Sequence, residues 1–325
     1  MKKKPLLEIK GLKTYFYTYE GTVKALHNVN ITINEGEIFG LVGETGCGKS
    51  VTALSTMRLI ESPGKIVGGE ILFQGKDLTK LSEEEMQEIR GNSISMIFQD
   101  PMASLNPLMK IGKQIAEVLE VHQKHYNKAE LRQKILEVLR MVRLPSPERI
   151  VESYPFELSG GMRQRVMIAM MLSTNPKLLI ADEPTTALDV TIQAQILRIL
   201  KEMKEKLNVS IWLITHDLGV VAETCDRVCV MYAGNVVECA DVIEIFKNPL
   251  HPYTKGLLKA IPSANRRVEE LNTIPGSVPN LINPPSGCRF HPRCPNRMDI
   301  CDKIEPKSTR VSENHTVSCH IYSGG

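Results

Sequence analysis

The chain has 325 residues, 42% hydrophobic and 24% charged, with a formal net charge of +3. That composition supports a substantial core, excludes disorder as the default, and carries too little positive charge to argue for a nucleic-acid partner. No stretch approaches the roughly 18 apolar residues of a membrane span, and Met1-Lys2-Lys3-Lys4-Pro5 leads into Leu6-Leu7-Glu8-Ile9-Lys10, which supplies no apolar core for a signal peptide.

Up to about residue 75, strand-like runs alternate with the glycine turns Asn34-Glu35-Gly36-Glu37 and Gly68-Gly69. Ile38-Phe39-Gly40-Leu41-Val42 is a short, continuous apolar run, the pattern of a parallel strand buried on both faces. It feeds directly into Gly43-Glu44-Thr45-Gly46-Cys47-Gly48-Lys49-Ser50, a G-x-x-x-x-G-K-S phosphate loop. The glycines let successive N–H groups curl inward toward an anion, and a helix beginning near Gly48 adds the positive end of its dipole. Lys49 is then placed for the β- and γ-phosphates of a nucleotide and the Ser50 hydroxyl for Mg²⁺.

From Ile111 to Val142 the pattern turns helical and charged, broken by Pro145 and Pro147. Leu158-Ser159-Gly160-Gly161-Met162-Arg163-Gln164-Arg165 opens a periodic stretch that reaches Leu172 and is closed by Asn175-Pro176. Ser159 can cap this helix, and Gly160 and Gly161 expose N–H groups at its positive end. The chain thus has a second anion site, which makes sense if two subunits grip one nucleotide from opposite sides. Leu178-Leu179-Ile180-Ala181-Asp182-Glu183 reads as a buried strand delivering two carboxylates at its C-terminal end. Asp182 suits Mg²⁺ and Glu183 suits a water attacking in line, the alternative for Glu183 being a helix-cap or surface carboxylate. Another strand-like run, Ile211-Trp212-Leu213-Ile214, precedes His216.

Beyond Asp241, ten of the 19 prolines fall in 85 residues and regular structure is expected to thin out. Cys288, Cys294, Cys301 and Cys319 lie here, at intervals of five, six and 17 residues. Four thiols in a chain without a signal peptide suggest a metal centre rather than disulfides, and a short tail with little core gains from such a cross-link. The spacing matches neither the C-x₂-C pairs of zinc ribbons nor the bacterial ferredoxin run, so an iron–sulfur cluster, zinc and unmetallated thiols all stay open. Arg289, Arg293 and Arg297 could offset the charge of a thiolate-held cluster; His291, His315 and His320 are alternative zinc ligands or bystanders. Cys225, Cys229 and Cys239 read as small buried hydrophobes, while Cys47 is a candidate for oxidation.

The phosphate loop, the Leu158–Arg165 segment and Asp182-Glu183, in this order, resemble the ATP-binding subunits of ATP-binding-cassette transporters, from about Leu7 to about Ala240. The resemblance implies an α/β fold, a P-loop ATPase with a RecA-like parallel-sheet core, an N-terminal antiparallel β subdomain and a helical signature subdomain at about 100–165. It divides the chain into a nucleotide-binding domain, 1–240, and a Pro/Cys-rich C-terminal extension, 241–325. It assigns Gln99, in Ile97-Phe98-Gln99-Asp100-Pro101, to Mg²⁺ and the attacking water, and His216 to the γ-phosphate. Ala187-Leu188-Asp189 matches the loop that crosses the dimer interface, and Phe16, among Tyr15, Tyr17 and Tyr19, matches the ring stacked on adenine. Thr45, Cys47 and Val51 depart from the family's usual serines, at positions where backbone N–H groups do the binding.

Three further stretches resemble the dipeptide, oligopeptide and nickel importer branch, most closely its dipeptide-permease D type. These are Asp100-Pro101-Met102-Ala103-Ser104-Leu105-Asn106-Pro107, Asn248-Pro249-Leu250-His251-Pro252-Tyr253-Thr254 and the four-cysteine box. That branch implies ATP hydrolysis energising import of di- or oligopeptides, or of a nickel chelate, at the cytoplasmic face of the membrane. It implies two transmembrane permease subunits, a paralogous second ATPase in a heterodimer or a second copy in a homodimer, and an extracytoplasmic substrate-binding protein. It also implies a [4Fe–4S] cluster on Cys288, Cys294, Cys301 and Cys319, with Zn²⁺ the alternative. A soluble cassette ATPase uncoupled from transport is the rival class; it would normally show two cassettes or a coiled-coil insertion, and this chain has one cassette and no heptads.

Overall fold

Long alternating runs and short all-apolar runs build two kinds of sheet in the computed structural model, which describes residues 4–100, 104–122, 126–186, 188–260 and 274–323. The chain divides into two compact units. The first holds Met1–Lys4, Asn34–Ile38 and Lys80–Ile214; the second holds Pro5–Ile33, Phe39–Thr79 and Thr215–Gly325.

In the second unit, strands β1 (Pro5–Thr18), β2 (Gly21–Asn34), β4 (Gly64–Phe73) and β5 (Lys76–Asp77) form a sheet in the order β2-β1-β4-β5. A register shift between Lys10 and Lys13 moves the buried set of β1 from Leu7 and Ile9 to Leu12 and Thr14, as a β-bulge does. The same unit contains β3 (Ile38–Val42), whose five residues are all buried. It runs parallel to β9 (Arg227–Tyr232), with Phe39 opposite Arg227 and Val42 opposite Val230. β9 pairs antiparallel with β10 (Asn235–Asp241), β10 with β12 (His315–Val317), and β12 with β11 (Thr309–Ser312).

In the first unit, β6 (Ile94–Ile97), β7 (Leu178–Asp182) and β8 (Ser210–Ile214) are parallel and buried throughout. Continuous apolar runs of this length belong inside a parallel sheet covered on both faces. The helical stretch expected over Ile111–Val142 is two helices, Ile111–His122 and Lys128–Met141. The second is started by an Asn127–Glu130 capping box. Pro147 begins the next helix, Pro147–Glu152, at a position where its missing N–H costs nothing. No helix among the described residues is long and apolar enough to cross a membrane.

Beyond β10 the structure is more regular than the proline content predicts. Helices Val242–Lys247 and Pro252–Lys259 follow, and β11 and β12 continue the β9–β10 sheet. Cys229 and Cys239, read from sequence as separate hydrophobes, stand opposite each other in the β9–β10 ladder and are joined in a disulfide. The pivot of this region is Glu238, whose side chain is fully buried. Its carboxylate accepts the Leu250 N–H at 2.7 Å and the His251 N–H at 2.9 Å, and lies 2.8 Å from His315 Nε2. One carboxylate thus joins β10, the Asn248–Thr254 segment and β12. Glu238→Ala orphans buried donors and should lower stability by about 3 kcal/mol, read as a reduced urea midpoint. A midpoint unchanged from wild type would show that Glu238 does not anchor the segment.

Candidate functional site

The phosphate loop leaves β3 at Gly43 with φ +154°, where an added Cβ would lie 2.1 Å from the Met231 carbonyl oxygen of the neighbouring β9. Only glycine fits. Gly46 and Gly48 also take positive φ, +79° and +105°. Gly48 is the N-cap of the helix Lys49–Thr56, and no side chain caps that terminus. The N–H groups of its first turn therefore remain available to an anion. Lys49 is buried and folds back across the loop, its Nζ donating to Gly43 O at 2.9 Å and Glu44 O at 3.3 Å. Ser50 is half-buried beside it, Val51 is the third residue of the helix, and Thr45 and Gly46 are exposed.

Other expected residues share this unit. Thr215 N–H donates to Leu41 O at 3.2 Å, so His216, which is exposed, follows a residue tied to the strand that feeds the phosphate loop. Phe16 is half-buried on β1, with its ring edge where a Cβ on Gly64 would fall, while Tyr17 and Tyr19 are the exposed rings.

The first unit gathers the carboxylate residues. Asp182 is buried at the end of β7. Glu183 follows it in a left-handed backbone, φ +47°, which is uncommon for a non-glycine residue and clusters at functional positions. Its N–H donates to Ile214 O at 2.9 Å, and its Oε2 accepts from Thr186 Oγ1 at 2.9 Å and from Gln99 Nε2 at 3.2 Å. Gln99 and Glu183, 84 residues apart, are thus brought into direct contact.

The helix Gly160–Leu172 begins at an exposed Ser159, whose Oγ accepts from Met162 N at 3.4 Å. An added Cβ on Gly161 would lie 2.8 Å from Ile192 Cγ2, so that glycine lets this helix approach the helix Val190–Leu207. Gln164, buried, donates to Pro184 O at 2.6 Å and ties the helix to the loop carrying Glu183. Asp189 is exposed and caps Val190–Leu207, its Oδ1 accepting from Ile192 N at 2.9 Å. Ala187 and Pro101, Met102 and Ala103 lie outside the described residues. Ser50, Asp182 and Gln99 offer a hydroxyl, a carboxylate and an amide, all able to present the hard oxygen donors that suit Mg²⁺.

The four-cysteine box requires a correction. Cys288, Cys294, Cys301 and Cys319 are free thiols, and among the described residues no group of three or more His, Cys, Asp or Glu side chains could hold a metal ion. The [4Fe–4S] assignment is therefore unsupported, and so is its zinc alternative. Burial pushes the Cys288 thiol up to about 12 and raises Cys294 and Cys319 as well. The arginines expected to balance a cluster act elsewhere. Arg289 donates to Lys24 O and Ala233 O, Arg293 holds Glu44, and Arg297 pairs with Asp302. The histidines are bystanders to the thiols as ligands: His291 Nδ1 lies 3.0 Å from Cys288 O, His315 Nε2 contacts Glu238 and His320 Nε2 lies 2.8 Å from Ile304 O. This region is packed by an aromatic cluster of Tyr232, Tyr253, Phe290 and His251, together with the buried Glu238.

Sequence reasoning missed Glu44 as a structural hub, because its partners Tyr253 and Arg293 lie 209 and 249 residues away. It also marked Cys47 as open to oxidation, whereas the side chain is fully buried and burial pushes its thiol up to about 11, more than the nearby Lys49 lowers it. At pH 8 the thiol form of Cys47 therefore predominates. Iodoacetamide should leave Cys47 unmodified in the native chain at pH 8 and alkylate it in urea, with native reactivity rising as pH climbs toward 11. Peptide mapping that finds equal labelling in both states would reject this.

Comparisons with known proteins agree with this geometry. A family model described as "ABC transporter" matches residues 26–186, and one described as "Oligopeptide/dipeptide transporter, C-terminal region" matches residues 237–301. The oligopeptide transport ATP-binding protein AppD of Bacillus subtilis (strain 168) is 54% identical, over 98% of this chain and 97% of that protein. The dipeptide transport ATP-binding protein DppD of the same organism is 51% identical, over 97% of this chain and 94% of that protein. Among solved structures, the ATP-binding cassette MJ0796, in a dimeric post-hydrolysis state bound to ADP and Pi, matches with a TM-score of 0.65 and 30% identity. That match covers 73% of this chain and 98% of that one. With identity above one half along nearly its whole length, the chain belongs to the ATP-binding proteins of the ABC transporter family.

Proposed function

We propose that this chain is the ATP-hydrolysing subunit of an importer of di- or oligopeptides, acting peripherally at the cytoplasmic face of the membrane. The observation that carries the catalytic reading is the Gln99–Glu183 hydrogen bond beside the buried Asp182, with Glu183 held in a left-handed backbone. The names of the 51–54% identical relatives, which specify oligopeptide and dipeptide transport, support peptide over nickel chelate as cargo. The proposed division is a nucleotide-binding domain at 1–240 and an extension at 241–325.

The residues take these parts. Backbone N–H groups of Gly43, Glu44, Thr45, Gly46, Cys47, Gly48 and Lys49 wrap the phosphates, with Ser50 and Val51 at the first turn of the helix. The Lys49 ammonium leaves the Gly43 and Glu44 carbonyls for the β- and γ-phosphates, a charge-assisted contact. Phe16 is the proposed stacking partner for adenine. Mg²⁺, held by Ser50, Asp182 and Gln99, would offset negative charge on the phosphates. Glu183 accepts a hydrogen bond from the attacking water and orients it in line with the γ-phosphorus, as the bond to the bridging oxygen breaks. His216 donates to the γ-phosphate.

Ser159, Gly160 and Gly161 contact nucleotide bound by a partner subunit, and Asp189 lies at the same interface. An exposed helix N-terminus, whose first-turn N–H groups and dipole favour an anion, supports that arrangement. The partner is a paralogous ATPase or a second copy. Two transmembrane permease subunits and an extracytoplasmic binding protein complete the system, with no role for nucleic acid.

Glu183→Gln should lower hydrolysis about 10²–10⁴-fold while ATP still binds, trapping a dimer visible by size-exclusion chromatography. Lys49→Ala should instead weaken ATP binding itself by about 10–100-fold, the value of a charge-assisted hydrogen bond. Near-normal turnover in Glu183→Gln would remove that residue from the mechanism. For the shared site, mixing a Lys49→Ala chain with a Ser159→Arg chain, or placing each change in one of two paralogues, should restore one working site per dimer. Hydrolysis by strictly monomeric protein at a rate independent of concentration would overturn the dimer assignment.

A further inference from the structure

The extension beyond β10 takes hold of the phosphate loop inside their common unit. Tyr253, fully buried on the helix Pro252–Lys259, accepts the Glu44 N–H on its hydroxyl at 2.9 Å. Arg293, with a side chain only 6% exposed, donates Nη1 to one Glu44 carboxylate oxygen at 2.7 Å and Nη2 to the other at 3.1 Å. This bidentate pair is geometrically specific and stronger than a neutral contact. Arg293 is itself held from behind, with Nε donating to Pro275 O at 2.8 Å and Nη2 to Ile274 O at 3.2 Å. Its guanidinium lies over the Tyr232 ring, 5.7 Å from the centroid. On the other side of the loop, Gly234 N–H donates to Cys47 O at 2.8 Å, and Arg289 secures that turn by donating to Ala233 O.

Two physical consequences follow. A loop with glycines at 43, 46 and 48 is soft, and ordering it on binding costs conformational entropy unless its other residues are already fixed. Glu44 also places a carboxylate in an anion-binding loop, where an uncompensated negative charge would repel phosphate over a distance comparable with the screening length. Arg293 answers both, because it immobilises Glu44 and cancels its charge.

We propose that Arg293 and Tyr253 are positioning residues for the phosphate loop, through which the C-terminal extension sets the affinity for the nucleoside triphosphate. This rests on the reading of Gly43–Ser50 as the ATP site. Neither residue touches nucleotide; both act through Glu44.

The test is equilibrium binding of a non-hydrolysable ATP analogue with Mg²⁺ to the full chain, with thermal unfolding measured in parallel. Arg293→Ala should weaken binding about tenfold or more by leaving Glu44 unneutralised. In a Glu44→Gln background the same substitution should cost less than about threefold, since no carboxylate remains to be balanced. Arg293→Lys should recover part of the loss by restoring the cation. A merely structural Arg293 predicts an equal loss in both backgrounds, tracking the fall in Tm, and that result overturns the proposal. Binding by Arg293→Ala within twofold of wild type overturns it as well. Should Arg293→Ala fail to fold, Tyr253→Phe, which loses only the hydroxyl that accepts the Glu44 N–H, should weaken the analogue about threefold to tenfold. An unchanged affinity there rejects the clamp. A wild-type chain that binds no nucleotide rejects the ATP site itself, an outcome distinct from these.

Discussion

The phosphate loop depends on how closely β9 passes beneath it. Because β3 and β9 pair in parallel, the chain leaving Val42 must cross the Met231 carbonyl with no room for a side chain at residue 43. The turn forced there brings Gly46 and Gly48 into left-handed conformations, starts the helix at Lys49 without a side-chain cap, and directs the Lys49 ammonium back over the loop. The proposed anion binding here rests on backbone geometry more than on side-chain identity. On that proposal, Thr45, Cys47 and Val51 can depart from serine.

The carboxylate end of the first unit is organised by a different device. β7 delivers Asp182 buried and then turns sharply enough that Glu183 adopts a backbone most side chains avoid. Hydrogen bonds from Thr186 and Gln99 hold its carboxylate, and Gln164 ties the following Pro184 carbonyl to the Gly160–Leu172 helix. The N-terminus of the Gly160–Leu172 helix is thus mechanically attached to the loop that carries Glu183. Strain at Glu183 is tolerated because the surrounding contacts over-determine it.

The C-terminal extension illustrates how a proline-rich segment is held by buried side chains. A buried carboxylate, Glu238, satisfies backbone donors from two consecutive residues and meets His315 from β12. Aromatic rings from β9, from the Pro252–Lys259 helix and from Phe290 pack edge to face or tilted, at centroid separations of 4.7–5.3 Å. Arginines 289 and 293 reach inward to carbonyls and to Glu44 instead of facing solvent. The extension is therefore an integral part of the unit that contains the phosphate loop.

The sequence alone determined what depends on local spacing. The G-x-x-x-x-G-K-S loop after an apolar run, Ser159 ahead of a periodic stretch and Asp182-Glu183 after four apolar residues each specify a local geometry through backbone constraints that neighbours in sequence impose. The structure agrees on the strands and helices that bear them. Other features arise from pairings distant in the chain and form only on folding. The Gln99–Glu183 contact, the partnership of Cys229 with Cys239, the inward turn of Arg289 and Arg293, and the absence of a metal-holding group among the described cysteines carry no local signal. The four thiols of the extension read as metal ligands from their number and from the family resemblance, not from their spacing. Ligation depends on where burial, strand pairing and competing hydrogen bonds leave the sulfur atoms, and those are set by the folded chain as a whole.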